Sequence, residues 1–270
     1  MKTIFLETNA INKYISYSGG ENLSNLMKLK NITPVVSIHT TYELYRIFLS
    51  DEKEKGIQLF QGLKNIDPIY SCSTQTLLKR EIEKLRDGTS VNYFIEESYL
   101  SCLKEKISNI SDGLLEEGSL SFVGDRERRI EEFHNHIDIY SEEASTINPN
   151  STSFDDYVEE IKRKDLISLI KNIITSSVNV NMTDIEVNTI LDNQLSYPAL
   201  YCLIRAQLFF NYAIRASGGR PAKDKTDDLR HMIDASYCSI LVSNDNKLLR
   251  DISKINPNVE PIKFENIFDL

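Results

Sequence analysis

Short apolar runs near the two ends of the chain enclose a long middle whose hydrophobic residues recur at helical spacing. Thr3-Ile4-Phe5-Leu6 is a short, mostly apolar run that Glu7-Thr8-Asn9 interrupts. It reads as a buried strand feeding a helix, with Asn9 as the N-cap before Ala10 to Ile15. Pro34-Val35-Val36-Ser37-Ile38 reads as a second buried strand, and Thr40 or Thr41 as the cap of a helix carrying Tyr42 to Phe48. Strand–helix–strand–helix order predicts a parallel sheet. Toward the other end, Asp227 to Ala235 has helical character and Ser239 to Ser243 reads as a strand. Asn244-Asp245 then opens a helix through Leu248 and Ile252, and Val259-Glu260-Pro261-Ile262 reads as an edge strand, where proline is tolerated.

Between about Ser73 and Ser217 the strand signals fade. Leu77, Leu78, Ile82 and Leu85 form a helical stripe within Ser73 to Leu85. Further helices are predicted over Val91–Ile107, Arg126–Ser145, Phe154–Ser176, Asp184–Leu195 and Ala199–Ala216. Breaks fall at Asp112-Gly113, Gly118, Asn148-Pro149-Asn150 and Ser217-Gly218-Gly219. The pattern contains no repeat and no low-complexity tract. It predicts one α/β domain over 1–270, whose sheet and site come from about 1–72 and 218–270, with a helical insertion at about 73–217.

Composition narrows the classes. At 41% hydrophobic and 26% charged, the chain is ordinary for a globular protein. It has no apolar run long enough for a transmembrane helix. The opening MKTIFLETNA is broken at Glu7, unlike the apolar centre of a signal peptide. A cytoplasmic location without membrane contact is expected. The four cysteines, Cys72, Cys102, Cys202 and Cys238, are scattered with no CxxC pair, which fits reduced, buried thiols rather than zinc. The net charge of -9 counts against a purely electrostatic nucleic-acid binder. It leaves room for a site whose carboxylates are offset by bound cations.

The acids fall where such a site would be. Glu7 ends the first strand, Glu43 lies early in the helix after the second, and Asp245 follows the Ile240–Ser243 run. In an open parallel sheet ligands bind at the carboxyl ends of the strands. Asp228 begins the helix leading into that late strand and reaches the same edge only through tertiary folding. Carboxylates that converge repel one another unless protons or cations intervene. Hard oxygen donors suit Mg²⁺ or Mn²⁺, and such ions promote in-line displacement at a phosphodiester. Taken singly, each residue has an ordinary reading: Asn9 and Asp245 as caps, Glu43 as a helix acid. Their joint placement is what favours a site.

The opening IFLETN resembles the first strand of PIN-domain nucleases, which usually ends in Asp-Thr-Asn. Val36-Ser37-Ile38-His39 to Glu43-Leu44 is similar to that family's second strand and acidic helix. Thr226–Leu249 is similar to its third acid, intervening helix and closing strand with Ser-Asn-Asp. The resemblance covers roughly the first 50 and last 60 residues, with three motifs in order. It extends to larger bacterial PIN-like proteins through the Tyr197-Pro198-Ala199-Leu200 helix start and the Gly218–Lys225 linker. It implies a PIN-like fold, Mg²⁺ or Mn²⁺, endonucleolytic cleavage of RNA, and Glu7, Glu43, Asp228 and Asp245 as catalytic, metal-binding acids. Glu7 departs from the usual Asp by one methylene, so its backbone must sit further back to ligate the same ion.

Supporting roles follow for neighbouring residues. Asp228 is preferred over Asp227 and Asp234 because its Asp-x-x-His spacing to His231 fits the larger PIN-like pattern. Thr8, Asn9, Ser243 and Asn244 are candidates to orient the acids or hold water. His231 suits a phosphate contact or a packed structural role equally. His134 and His136 stand two apart on a predicted helix and diverge, so no shared metal is expected. Glu81 reads as a surface acid, and Lys162-Arg163-Lys164 as a solvated face. Arg205, Arg215, Arg220, Lys223, Lys225 and Arg230 make the stretch around the third acid basic enough to hold an RNA backbone. Tyr201, Phe209, Phe210 and Tyr212 nearby have the helical spacing of core residues.

The leading expectation is a ribonuclease acting as a toxin or in antiviral defence, with an antitoxin or defence partner and room for a homo-oligomer. The alternative is a catalytically weak PIN-like module that binds RNA or protein, motivated by Glu7. A small-molecule phosphohydrolase would need a nucleophilic Asp or a Gly-rich phosphate loop, and neither is present.

Overall fold

The structure, a computed structural model, describes residues 2–16, 21–114, 152–161, 163–217 and 225–270. Five strands form one all-parallel sheet: β1 (Lys2–Leu6), β2 (Ile32–Ser37), β3 (Ile69–Ser71), β4 (Ile240–Val242) and β5 (Glu260–Ile262), in the order β3-β2-β1-β4-β5. β1 is central because its residues bury both faces at once. Ile4 and Phe5 are fully buried, and Phe5 pairs with Val35 on one side and Leu241 on the other. Near-continuous apolar runs are what a parallel strand covered on both faces needs. Pro261 lies in edge strand β5, where a missing N–H is tolerated.

The chain divides into two compact units: Met1–Leu77, Val91–Leu120 and Asp234–Leu270 form the first, Leu78–Ser90 and Ser121–Ile233 the second. In the first, Ile4, Leu6, Val36, Ile240 and Val242 share one sheet face and one core with helices α1 (Thr8–Ser16), α2 (Glu21–Leu29), α3 (Ile38–Phe48) and α4 (Lys53–Ile66). Helix α6 (Glu97–Ser111) packs on α4 and adds Ile107 to that core. α12 (Asn246–Ile255) buries Leu248, Ile252 and Ile255 at i, i+4 and i+7 and packs on β5. Each fully buried Phe or Leu contributes about 1.5–3 kcal/mol.

The second unit is helical. α7 (Phe154–Glu160), α8 (Arg163–Val178) and α9 (Asp184–Asp192) pack around α10 (Pro198–Ser217). Ser153 with Asp156, and Thr183 with Glu186, close reciprocal caps at the starts of α7 and α9. Phe154, Phe209 and Tyr212 form an aromatic cluster, with Phe154 edge-on to Phe209 at 5.3 Å. α5 (Thr74–Asp87) and α11 (Lys225–Asp234) each carry the chain from one unit to the other.

Several elements differ from the pattern reading. The predicted Phe154–Ser176 helix is two helices, because Ile161 turns to an extended conformation (φ -68°, ψ 119°). The predicted Val91 start shifts to Glu97. The segment before it instead lies along β3, with Cys72 N donating to Tyr93 O and Ile95 N to Tyr70 O. Strand β3, Ile69-Tyr70-Ser71, is not a continuous apolar run, so no buried-strand signal marks it. It follows Asp67, whose left-handed conformation (φ 47°) ends α4. The expected Arg126–Ser145 helix, His134, His136, Gly118 and the Asn148-Pro149-Asn150 break lie outside the described residues.

Three of the four thiols are buried as expected, whereas Cys102 is exposed on α6. Cys238 sits 3.5 Å from the Tyr93 hydroxyl, which donates to the Asp234 carbonyl at 2.5 Å. Burial foremost pushes the Cys238 thiol up to about 12 and the Tyr93 phenol well above its ordinary value. A thiol-specific reagent at pH 8 should therefore modify one cysteine in the native protein, and Cys102→Ser should abolish that reaction. Fast labelling of Cys238 would contradict the burial described.

Close helix approach gives a second test. A Cβ at Gly56 of α4 would lie 2.3 Å from the Phe48 Cα, a backbone atom that cannot rotate away. At Gly62 the close contact would be with the Ile15 side chain, at 2.6 Å, with Tyr14 at ordinary distance. Gly56→Ala should cost about 3 kcal/mol in urea unfolding, and Gly62→Ala about 1 kcal/mol or less. Equal effects would show that backbone contact is not the determinant.

Candidate functional site

The chain leaves β1 to build β2 and β3 on one side, then returns to place β4 on the other. The crevice between the carboxyl ends of β1 and β4 is thus the point where strand order reverses, the usual ligand position in such sheets. Glu7 follows β1 and Ser243-Asn244-Asp245 follow β4, so four of the predicted residues stand at that point.

Glu7 is only 4% exposed, and its carboxylate is met by three donors. Oε2 accepts from Asn9 N at 2.9 Å and from the Ser243 hydroxyl at 2.8 Å, and Oε1 accepts from Asn9 Nδ2 at 3.2 Å. Its carbonyl accepts from Ala10 N and Ile11 N, so Glu7 itself caps α1. Asn9, expected as that cap, instead lies inside the helix and donates to Glu7. The extra methylene of glutamate lets the carboxylate fold back over the first helical turn.

Ser37, not Thr40 or Thr41, caps α3: its Oγ accepts from Thr40 N at 3.1 Å, while the Thr41 hydroxyl donates to the Ser37 carbonyl. This start sets Glu43 on the second turn. Thr8 donates its hydroxyl to Glu43 Oε2 in a short hydrogen bond. His39, four residues earlier on the same helix face, places Nε2 3.7 Å from Glu43 Oε1. The sequence reading did not assign His39 a role, although its i,i+4 spacing to Glu43 was the available signal. His39 and Glu43 offer an imidazole nitrogen and a carboxylate oxygen close enough to hold one cation.

Asp245 caps α12: Oδ1 accepts from Lys247 N at 2.6 Å and Leu248 N at 3.2 Å. Its own N–H donates to Ser243 Oγ at 2.9 Å. Ser243, fully buried, therefore ties Asp245 to Glu7, as Thr8 ties Glu43 to the start of α1. Asn244 accepts from Phe264 N through Oδ1 at 3.3 Å. Three acids are thus joined to neighbouring elements by two hydroxyls and two helix starts within the first unit.

The other predicted residues belong to the second unit. Asp228 and His231 stand one turn apart on α11, and His231 is 2% exposed. Lys225 reaches Asp228 Oδ2 at 2.7 Å, and Arg230 lies 3.7 Å from Asp227 Oδ1. Arg205 bonds Asp155 Oδ1 at 2.8 Å and covers the Phe154 ring at 4.8 Å. Lys225, Arg230 and Arg205 are therefore engaged with acids of their own unit rather than presented as bare cations. Arg215 is half-buried on α10, and Arg220 and Lys223 lie outside the described residues. Asp234, in the first unit, is fully buried and accepts from the Thr74 hydroxyl at 2.7 Å. Tyr201, Phe209 and Phe210 are core residues.

Glu81 is not on the surface. It is fully buried in the second unit, and its two oxygens accept from Ala199 N at 2.9 Å and Leu200 N at 2.7 Å. A carboxylate at a helix N-terminus meets orphan N–H groups and the positive end of the dipole. The Tyr197-Pro198-Ala199-Leu200 start thus takes its cap from a distant helix.

Comparison with protein-family models, with curated proteins and with solved structures finds no match to this chain. No helix among the described residues is long and apolar enough to cross a membrane.

Removing the Glu81 cap should be costly, because two buried N–H groups would be left without an acceptor. Glu81→Ala should lower stability by about 3 kcal/mol, read as a shifted urea midpoint. A change under about 0.5 kcal/mol would mean the cap carries little.

Proposed function

We propose that the protein is a divalent-metal-dependent endoribonuclease that hydrolyses RNA phosphodiester bonds with the carboxylates at the β1–β4 crevice. The observation that carries this reading is that Glu7 and Asp245 share the Ser243 hydroxyl at the carboxyl ends of β1 and β4, while Thr8, next to Glu7, bonds Glu43. The donor set fits Mg²⁺ or Mn²⁺: carboxylate oxygens are hard ligands, and His39 beside Glu43 is a nitrogen donor that Mn²⁺ also accepts. Such an ion, when bound, supplies a water of lowered pKa and neutralises charge building on the phosphate.

Each residue then has a separable role. Glu43 and Asp245 present carboxylate oxygens. Asp245 is anchored through Oδ1 by two helix N–H groups, which holds the side chain in one orientation. Thr8 fixes Glu43 and Ser243 fixes Glu7, so the acids are positioned before any ligand arrives. Asp228 is the fourth acid that the resemblance implies. A role as toxin or antiviral effector rests on the same resemblance.

A second reading has its own observation. Glu7 is nearly buried and hydrogen-bonded by three donors, as a structural cap would be. That favours a catalytically weak PIN-like module that binds RNA or protein.

Labelled RNA incubated with and without Mn²⁺ separates the two. The nuclease reading expects cleavage that requires the metal and falls more than about 100-fold in Glu43→Gln and in Asp245→Asn, since even outer-shell partners are worth about 10–100-fold. Loss of cleavage in Asp228→Asn would add the fourth carboxylate. RNA binding without cleavage under any metal would establish the weaker module instead.

A further inference from the structure

Beside Asp245 lies an open cleft of 330 Å³ lined by Asn9, Asn12, Lys13, Ser16, Asn244 and Asp245. Four of these residues lie on α1 at i, i+3, i+4 and i+7, one face of that helix. The opposite wall is the loop after β4. The lining holds three amides, one ammonium, one hydroxyl and one carboxylate, and no apolar side chain.

That chemistry selects its occupant. A wall without apolar side chains gives little to a hydrophobic ligand. A side-chain amide offers two donors and an acceptor, the complement of a base edge. Lys13 is exposed and forms no ion pair among the described residues, so its charge is available to a phosphate. Asn9 and Asn244 are partly committed, to Glu7 and Phe264 respectively. Asn12 has no hydrogen-bond partner among the described residues and faces the cleft. The volume lies at the small end of ligand sites, which begin near about 300 Å³, and suits one nucleotide unit rather than a duplex.

We infer that this cleft is a nucleotide subsite for single-stranded RNA, in which Lys13 holds a backbone phosphate and Asn12 reads the adjoining base. It rests on the proposed nuclease reading for its substrate class. Asp245 is common to both places, so a strand seated here would pass the acids with its next phosphate. The subsite would give cleavage a base preference that the carboxylates alone cannot supply.

Binding and cleavage are measured separately on the full chain. Fluorescence anisotropy with labelled eight-residue A, C, G and U homopolymers, in EDTA at low salt, reads binding alone. Lys13→Ala should weaken all four by about tenfold and reduce the salt slope of log K by about 0.7, one phosphate contact on a single strand. Asn12→Ala should instead weaken the preferred homopolymer about fivefold or more and flatten the ranking of the four. Neither residue belongs to the acid set. Variants that bind all four oligomers like the unmodified protein would overturn the subsite, as would tighter binding of a polyglutamate peptide than of any oligomer. If Mn²⁺-dependent cleavage persists while both variants bind normally, the subsite fails and the nuclease reading stands. If the binding shifts appear without cleavage under any metal, the subsite stands and the nuclease reading fails.

Discussion

The structure around the crevice depends on satisfying one carboxyl group with almost no water around it. An acid as buried as Glu7 must be met by hydrogen-bond partners, because desolvation without them costs far more than a domain can spare. The donors come from its own helix start and from Ser243, 236 residues later in the chain. That single requirement ties β1 to the loop after β4 and fixes where α1 begins. It also aligns Asp245, whose N–H uses the same Ser243 oxygen. The pairing of β1 with β4 is therefore supported by polar closure at the carboxyl end as well as by the apolar strands themselves.

Much of the parallel sheet was legible because its strands are apolar runs bounded by polar turns. Pro34 to Ser37 and Ile240 to Val242 stand out without any alignment. Strand β3 was not, since Ile69-Tyr70-Ser71 is no continuous apolar run and the signal that precedes it, Asp67 in a left-handed conformation, is a property of the folded backbone. The acids were legible by position relative to strands, but their local duties were not. Asn9 looked like the cap of α1 because Asn is a good cap. Glu7 takes that duty because its longer side chain can both fold back to Asn9 N and accept from Ser243, which sequence spacing cannot express. Glu81 looked solvated for a similar reason: its partners, Ala199 and Leu200, lie more than a hundred residues away.

The basic residues teach the opposite lesson. A run of cations near an acid invites a reading as a nucleic-acid surface. Arg205, Lys225 and Arg230 instead spend their charge on Asp155, Asp228 and Asp227 within the second unit. Lys13, a lysine in an amphipathic helix that composition gave no reason to single out, has no ion pair among the described residues and lines the cleft. In a chain of net charge -9, one unpaired lysine beside amides is a more specific feature than a cluster of paired ones.

Because the Glu7 carboxylate waits on Ser243, the crevice has an order of assembly written into it. A chain emerging from the ribosome presents β1 before β4 and holds the Glu7 side chain in water until the later strands have been translated. Contacts of such long sequence separation form late. An unfinished chain would therefore hold Glu7 and Glu43 without Ser243 and Asp245, so the crevice is completed only when the last strands have joined the sheet.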